Sequence, residues 1–166
     1  MQGIIMIDAD KCTGCRMCEL ICSATKEGEF LPSKARIKVF SKPRIGISIP
    51  MVCLQCEDPI CEMVCQFEAI KRDDEAGLVE TFDNKCTGCG ACVLACPFGA
   101  IEYDKSLAKL LKCDLCNGEP MCVKVCYSKA IEYKEVAQDV LIQRRRNLAQ
   151  YSRYWFPILN KRKRKH

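Results

Sequence analysis

The chain has 166 residues, with 26 Lys and Arg against 21 Asp and Glu, and 16 cysteines. Its length suits one domain or two small lobes, and without the cysteines only roughly two fifths of it is apolar, a thin core of the kind that small domains reinforce with disulfides or metals. The formal charge of +5 does not make it a nucleic-acid binder, because residues 141–166 hold nine of the basic side chains and no acidic one, leaving residues 1–140 with seventeen basic and twenty-one acidic groups, a net of −4.

The first eight residues, Met1 to Asp8, lack the positive segment and the apolar length of a secretory signal. No twin-arginine pair precedes Cys12, and no apolar run approaches the ~20 residues needed to span a membrane. The expected location is the cytoplasm, where disulfides are rare and clustered cysteines bind metal; export to the periplasm together with a signal-bearing partner stays open. Ile4–Asp8 reads as a short strand, as do Leu78–Phe82 and Ile101–Tyr103.

The cysteines fall into four groups of four, with none left over. Cys12, Cys15, Cys18 and Cys22 follow C-x2-C-x2-C-x3-C, and Cys86, Cys89, Cys92 and Cys96 repeat it with Pro97 after the last. Cys53, Cys56, Cys61 and Cys65 follow C-x2-C-x4-C-x3-C, and Cys113, Cys116, Cys122 and Cys126 follow C-x2-C-x5-C-x3-C. The flanks repeat too: Lys11-Cys12-Thr13-Gly14-Cys15 matches Lys85-Cys86-Thr87-Gly88-Cys89, Pro59-Ile60-Cys61 resembles Pro120-Met121-Cys122, and Ala-Ile recurs at 69–70, 100–101 and 130–131. The chain therefore reads as a duplication, groups one and two answering groups three and four.

The stretch from each third cysteine to its fourth suits a helical turn, which puts i and i+4 on one face. Residues 23–52 are the longest insert, with a candidate strand at Arg36–Phe40. Residues 135–156 read as a helix with Leu141, Leu148, Tyr151 and Trp155 on one stripe and Pro157 as its stop, followed by the basic run Lys161–Lys165. That segment has two readings: an arm that docks on a partner, or a helix folded on its own body with a frayed tail.

A [4Fe–4S] cube takes one soft ligand on each of four irons, and two-residue gaps let a backbone wrap three of its corners. In two-cluster ferredoxins the fourth cysteine of each run serves the other cluster. Zinc prefers two separated C-x2-C hooks, a mould that groups two and four could be forced into but groups one and three could not easily. The bland reading of cysteine as a small buried hydrophobe fails for sixteen at once. The one histidine, His166, ends the chain. No phosphate-binding glycine loop, no flavin or nicotinamide fingerprint and no histidine beside an acid is present, so no catalytic residue is expected. Four oxidised clusters of about −2 each would take the body to about −12.

These residues resemble the four-cluster polyferredoxin subunits of anaerobic oxidoreductases, the iron–sulfur subunits of the dimethyl sulfoxide reductase and formate dehydrogenase type. The most specific pieces are Cys12-Thr13-Gly14-Cys15-Arg16, Cys53-Leu54-Gln55-Cys56-Glu57-Asp58-Pro59, Cys96-Pro97-Phe98-Gly99-Ala100-Ile101 and Lys112-Cys113-Asp114-Leu115-Cys116. The short length, Glu27-Gly28-Glu29-Phe30 and the Arg-rich end are most similar to small subunits of tungsten enzymes of the aldehyde oxidoreductase and benzoyl-CoA reductase type. The resemblance implies an α+β fold of two ferredoxin-like lobes with short antiparallel strands, short helices and a C-terminal helix. It implies one lobe from about residues 1–30 and 105–134, a second from about 50–104, and a C-terminal helix and basic tail at 135–166. It implies four [4Fe–4S] clusters, held by Cys12, Cys15, Cys18 and Cys126; by Cys53, Cys56, Cys61 and Cys96; by Cys65, Cys86, Cys89 and Cys92; and by Cys22, Cys113, Cys116 and Cys122. It departs from the family at Ser23, Gln66 and Tyr127, where a proline would follow the fourth cysteine.

The implied role is a non-catalytic wire that relays electrons to or from a larger catalytic subunit, a tungsten or molybdenum pterin enzyme being favoured. A free ferredoxin-like shuttle, or a partner of carbon monoxide dehydrogenase or hydrogenase, is the alternative. Amides near Gly14, Gly88 and Gly90 are expected to point at cluster sulfurs. Arg16 and Lys112 stand beside cysteines and could raise local potentials, but a solvated side chain is the preferred reading for both.

Overall fold

A computed structural model describes residues 3–138, 140–143, 146, 147 and 149. Among the described residues it contains four two-stranded antiparallel sheets and, before residue 136, four short helices. Strand β1 (Gly3–Ile7) pairs with β8 (Ile131–Glu135), so that Ile7 faces Ile131 across a loop that contains all four cysteine groups. The other three pairs are local: β2 (Lys38–Lys42) with β3 (Ile47–Met51), β4 (Ile70–Asp73) with β5 (Leu78–Thr81), and β6 (Ile101–Asp104) with β7 (Lys109–Lys112).

The two hairpins β4–β5 and β6–β7 turn by the same device. Asp73 Oδ1 accepts from the N–H groups of Glu75 and Ala76 at 2.9 and 3.0 Å, and Asp104 Oδ1 accepts from those of Ser106 and Leu107 at 2.8 and 3.1 Å. The chain then passes through the left-handed region at Gly77 and at Ala108. The three sequence-predicted strands are present, shifted by a residue at their ends, and the strand expected at Arg36–Phe40 lies at Lys38–Lys42. The strands β3, β4, β7 and β8 were not anticipated: β4, β7 and β8 are four or five residues long and rich in charged side chains, and β3 carries Pro50, which argues against a strand.

The helices α1 (Met17–Glu27), α2 (Ile60–Met63), α3 (Ala91–Ala95) and α4 (Met121–Lys124) each carry or abut the third cysteine of a group. Three are single turns, as expected. Helix α1 runs on for eleven residues, past Cys22 and Ser23, until Gly28 adopts φ +74 and caps it. After the fourth cysteine of the other groups the chain turns through a left-handed residue instead: Glu68, Gly99 or Lys129. Helix α1 packs on α4, and α2 on α3.

The apolar core is in two patches. The larger joins Ile5, Ile37, Val52, Leu115 and Ile131 to the thiols of Cys18, Cys22, Cys113 and Cys122. The smaller joins Ile70, Val79, Ile101 and Leu110 to Cys92. The repeated Ala-Ile pairs are fully inside. The described residues between Gln138 and Ala149 are helical, and Asn147 donates to the carbonyl of Ile7 at 2.8 Å, so this part of the segment touches its own body. Leu148, Tyr151, Trp155 and the basic run lie outside the described residues. No helix among the described residues is long and apolar enough to cross a membrane.

Candidate functional site

The sixteen thiols are free and none is paired in a disulfide. They meet in sets that cross the sequence groups. One cavity is lined by Cys12, Cys15 and Cys18 together with Cys126. A second is lined by Cys53, Cys56 and Cys61 together with Cys96. A third is lined by Cys86, Cys89 and Cys92 together with Cys65. Cys113, Cys116, Cys122 and Cys22 are electrostatic neighbours: Cys122 senses the other three, and Cys22 senses Cys116. The short helices produce the crossing. The third and fourth cysteines of a group are one helical turn apart, so helix α3, for example, directs Cys92 to one cavity while Cys96, at its end, enters the next.

The insert between groups one and two has a purpose that its sequence did not reveal. Val39 and Pro50, opposite each other in the β2–β3 register, wall the cavity of Cys12, Cys15, Cys18 and Cys126. Ser48 on β3 closes on Gly14, where a Cβ would come within 2.5 Å of its Oγ. Gly88, in the matching motif, is closed instead by the ring of Tyr103, 2.7 Å from where a Cβ would stand.

Several amides point at sulfur. Arg36 N–H donates to Cys22 Sγ at 3.2 Å, Ala69 N–H to Cys65 Sγ at 3.3 Å and Ala100 N–H to Cys96 Sγ at 3.5 Å. The Gly14 amide acts on Cys12. Of these donors, sequence reading picked out Gly14; it missed the alanines, although their repeat was the available signal, and it had no means of seeing Arg36. Gly90 caps the start of α3 and lines the cavity of Cys65, Cys86, Cys89 and Cys92.

Two charged candidates differ in their surroundings. Arg16 is half exposed and pairs with the buried Glu19 at 3.3 Å. Lys112 corrects the expectation of a solvated chain: it is 7% exposed and lines the cavity of Cys53, Cys56, Cys61 and Cys96. The sheet demands this, since Lys112 pairs with Ile101 at the buried end of β6–β7.

The donor chemistry fits an iron–sulfur cluster. Burial pushes the thiols of Cys18 and Cys113 up to about 12 and that of Cys61 up to about 11, so ionising them takes a compensating cation. Among the described residues no three His, Cys, Asp or Glu side chains converge as ligands of one metal ion do. The thiols are instead spread around cavity walls, which suits a group that takes each on a separate iron.

A family model described as the 4Fe-4S dicluster domain matches residues 46–136, more than half of the chain. The chain belongs to the 4Fe-4S dicluster family. A model of the 4Fe-4S binding domain also matches residues 9–25, the first group. The aliphatic sulfonate oxidoreductase, polyferredoxin-like subunit of Pyrococcus furiosus is 42% identical over 123 residues, covering 74% of this chain and 70% of that one. The electron transport protein HydN of Escherichia coli is 35% identical over 156 residues, covering 79% and 87%. A solved chain of the active site complex BamBC of benzoyl coenzyme A reductase with 1,5-dienoyl-CoA aligns at a TM-score of 0.48 and 27% identity, over 99% of this chain and 98% of that one. As a member of this family the chain binds [4Fe–4S] clusters, and its role is electron transfer and not catalysis.

Proposed function

We propose that the chain is a four-cluster wire docked on a larger catalytic oxidoreductase subunit, a tungsten or molybdenum pterin enzyme. The observation that carries the wire is the crossing of the cysteine sets, with three cavities each lined by three thiols of one group and the last thiol of another. The proposed ligands are Cys12, Cys15, Cys18 and Cys126; Cys22, Cys113, Cys116 and Cys122; Cys53, Cys56, Cys61 and Cys96; and Cys65, Cys86, Cys89 and Cys92, in that order along the wire. Each bound cluster would take up and release one electron at a time. The order rests on three links. Helices α1 and α4 carry ligands of the first two sites, Cys113 and Cys53 are electrostatic neighbours, and α2 and α3 carry ligands of the last two. The protein's own contribution is to hold the thiols, aim amides at sulfur and keep water from the middle sites.

Two lobes follow from this reading, one from about residues 1–30 and 105–134 and the other from about 50–104, with residues 135–166 as a helix and basic tail. Strand β7 would extend the second lobe, because Leu110 packs in the smaller core. The matching flanks Lys11–Cys15 and Lys85–Cys89 support an internal duplication. The partner is supported by a relative that is named as a subunit of an oxidoreductase. We place the chain in the cytoplasm on its cysteine usage.

Anaerobic purification of the native complex with metal analysis tests the reading. About sixteen irons per chain, four per cluster, with tungsten or molybdenum in a larger co-purifying subunit are expected. Sixteen irons without a partner would make it a free shuttle, and nickel in the partner would replace the pterin enzyme. The pairing is tested by Cys65→Ser, which should alter the same cluster signal as Cys89→Ser and not that of Cys56→Ser.

A further inference from the structure

Among the described residues Lys112 is the one lysine or arginine that is buried as a whole residue, at 7% exposure. Its ammonium donates to the carbonyl of Val79, to Gln55 Oε1 at 3.4 Å and to the carbonyl of Cys113 at 3.3 Å. Three acceptors match the three donors of an ammonium; a neutral amine would leave one unused. All three acceptors are neutral, and no carboxylate pairs with Lys112 among the described residues. Arg16, Lys26, Arg36 and Lys109 by contrast each touch a carboxylate: Glu19, Asp114 and, shared by the last two, Glu27.

The node is held rigidly. Gln55 sits in the left-handed region at φ 48 between Cys53 and Cys56. Its amide donates to the Cys113 carbonyl at 2.8 Å and accepts from Val79 N–H at 2.9 Å. An uncompensated charge buried in a low-dielectric site is costly unless something of opposite sign is close. The nearest candidate is the set of thiolates at Cys53, Cys56, Cys61 and Cys96, whose cavity Lys112 lines. Its charge is also one of the influences on Cys61.

Building on the four-cluster reading above, we infer that Lys112, fixed by Gln55, makes the cluster at Cys53, Cys56, Cys61 and Cys96 the highest-potential station of the wire. A fixed positive charge stabilises the reduced form, which carries one more negative charge, over the oxidised form. Burial strengthens the effect because little water screens it. Lys112 is therefore a positioning residue for electrons, which makes the third of the four stations an internal sink.

The test is an EPR-monitored redox titration of the full iron-loaded chain, with iron counted in each variant. The signal of this site is identified as the one altered by Cys56→Ser. Lys112→Gln keeps a hydrogen-bond donor and removes the charge. At the wild-type midpoint its reduced-to-oxidised ratio should fall about tenfold for that cluster, or ~59 mV for one electron, with a smaller fall at the neighbouring cluster of Cys113, whose carbonyl Lys112 also touches, and none at the other two. Lys112→Arg should restore the wild-type ratio. Gln55→Glu, which keeps the lysine and adds a compensating negative charge, should lower the same cluster. The inference is overturned if an iron-replete Lys112→Gln leaves the ratio unchanged, if Lys112→Arg shifts as much as Lys112→Gln, or if the affected cluster is not the first to be reduced. It is overturned too if neither Lys112→Gln nor Gln55→Glu holds its iron, since the node is then structural. Failure of the four-cluster reading would be seen separately, as fewer than four clusters in the wild-type chain.

Discussion

Arg36 holds Cys22 and Glu27 together: its backbone N–H donates to Cys22 Sγ at 3.2 Å while its guanidinium pairs with Glu27 at the end of the same helix. Lys109 joins Glu27 from β7 at 3.0 Å. Burial alone would raise the Glu27 carboxyl, but hydrogen bonds from Lys109 and Arg36 outweigh it and hold the group below its ordinary 4.5. A depressed carboxylate adds stability that is fully present above the unfolded pKa and is lost as pH falls through the folded one. Glu27→Gln should therefore cost about 3 kcal/mol at pH 7, the scale of breaking a buried pair. The wild-type advantage should shrink as pH falls below 4.5. Anaerobic unfolding curves of both proteins at pH 7 and pH 4 check this; equal differences at the two pH values would refute it.

The three motif glycines should respond differently to alanine. All three have positive φ, which costs a residue with a Cβ about 1–2 kcal/mol. At Gly90 no protein atom stands within 4 Å, so the protein itself adds nothing to that cost. At Gly14 the added carbon meets a serine hydroxyl, which can swing away. At Gly88 it meets the half-buried ring of Tyr103, which packs against the smaller core and has less room to move. Melting temperature and iron content should fall in the order Gly90→Ala, Gly14→Ala, Gly88→Ala, the last being the most damaged.

Glu68, Gly99 and Lys129 occupy one repeated position, three residues after a fourth cysteine, with φ of 51, 58 and 55. Two of the three carry side chains in a conformation that glycine adopts without penalty. Lys129→Gly should raise stability by up to about 1 kcal/mol, the strain relieved less the entropy of a glycine in the unfolded chain. Gly99→Ala should lower it by a similar amount. Thermal unfolding of the two variants is the measurement, and a destabilised Lys129→Gly would contradict the account.

The buried thiols make iron-free protein sensitive to alkali where iron-loaded protein is not. Without iron, Cys18, Cys61 and Cys113 are raised from 9.0 to between about 11 and about 12. A raised acid adds stability below its unfolded pKa and loses it as pH climbs through the folded value. The iron-free chain should lose structure between pH 9 and 12. The loaded chain, its thiolates already neutralised by iron, should not lose it over that range. Circular dichroism of both forms along a pH series distinguishes them.

The metal chemistry was legible in the sequence because ligand spacing is a local property. Sixteen cysteines in four short groups, with matching flanks, state the donor type and the helical turns without any knowledge of the fold. The Ala-Ile pairs were legible as a repeat, and Ile70, Ile101 and Ile131 are all buried at the start of a strand, although only the strand at Ile101 was expected from the sequence. What the sequence could not state depends on contacts between distant segments. The pairing of Gly3–Ile7 with Ile131–Glu135, the hairpin that walls the first cavity, and the amide of Arg36 on Cys22 all join residues that share no local signal. Lys112 shows the difference most sharply. In the sequence it is a lysine beside a cysteine, a residue that water normally keeps. In the tertiary structure the β6–β7 register turns it inward, where Gln55, Val79 and Cys113 supply the acceptors that water would have offered.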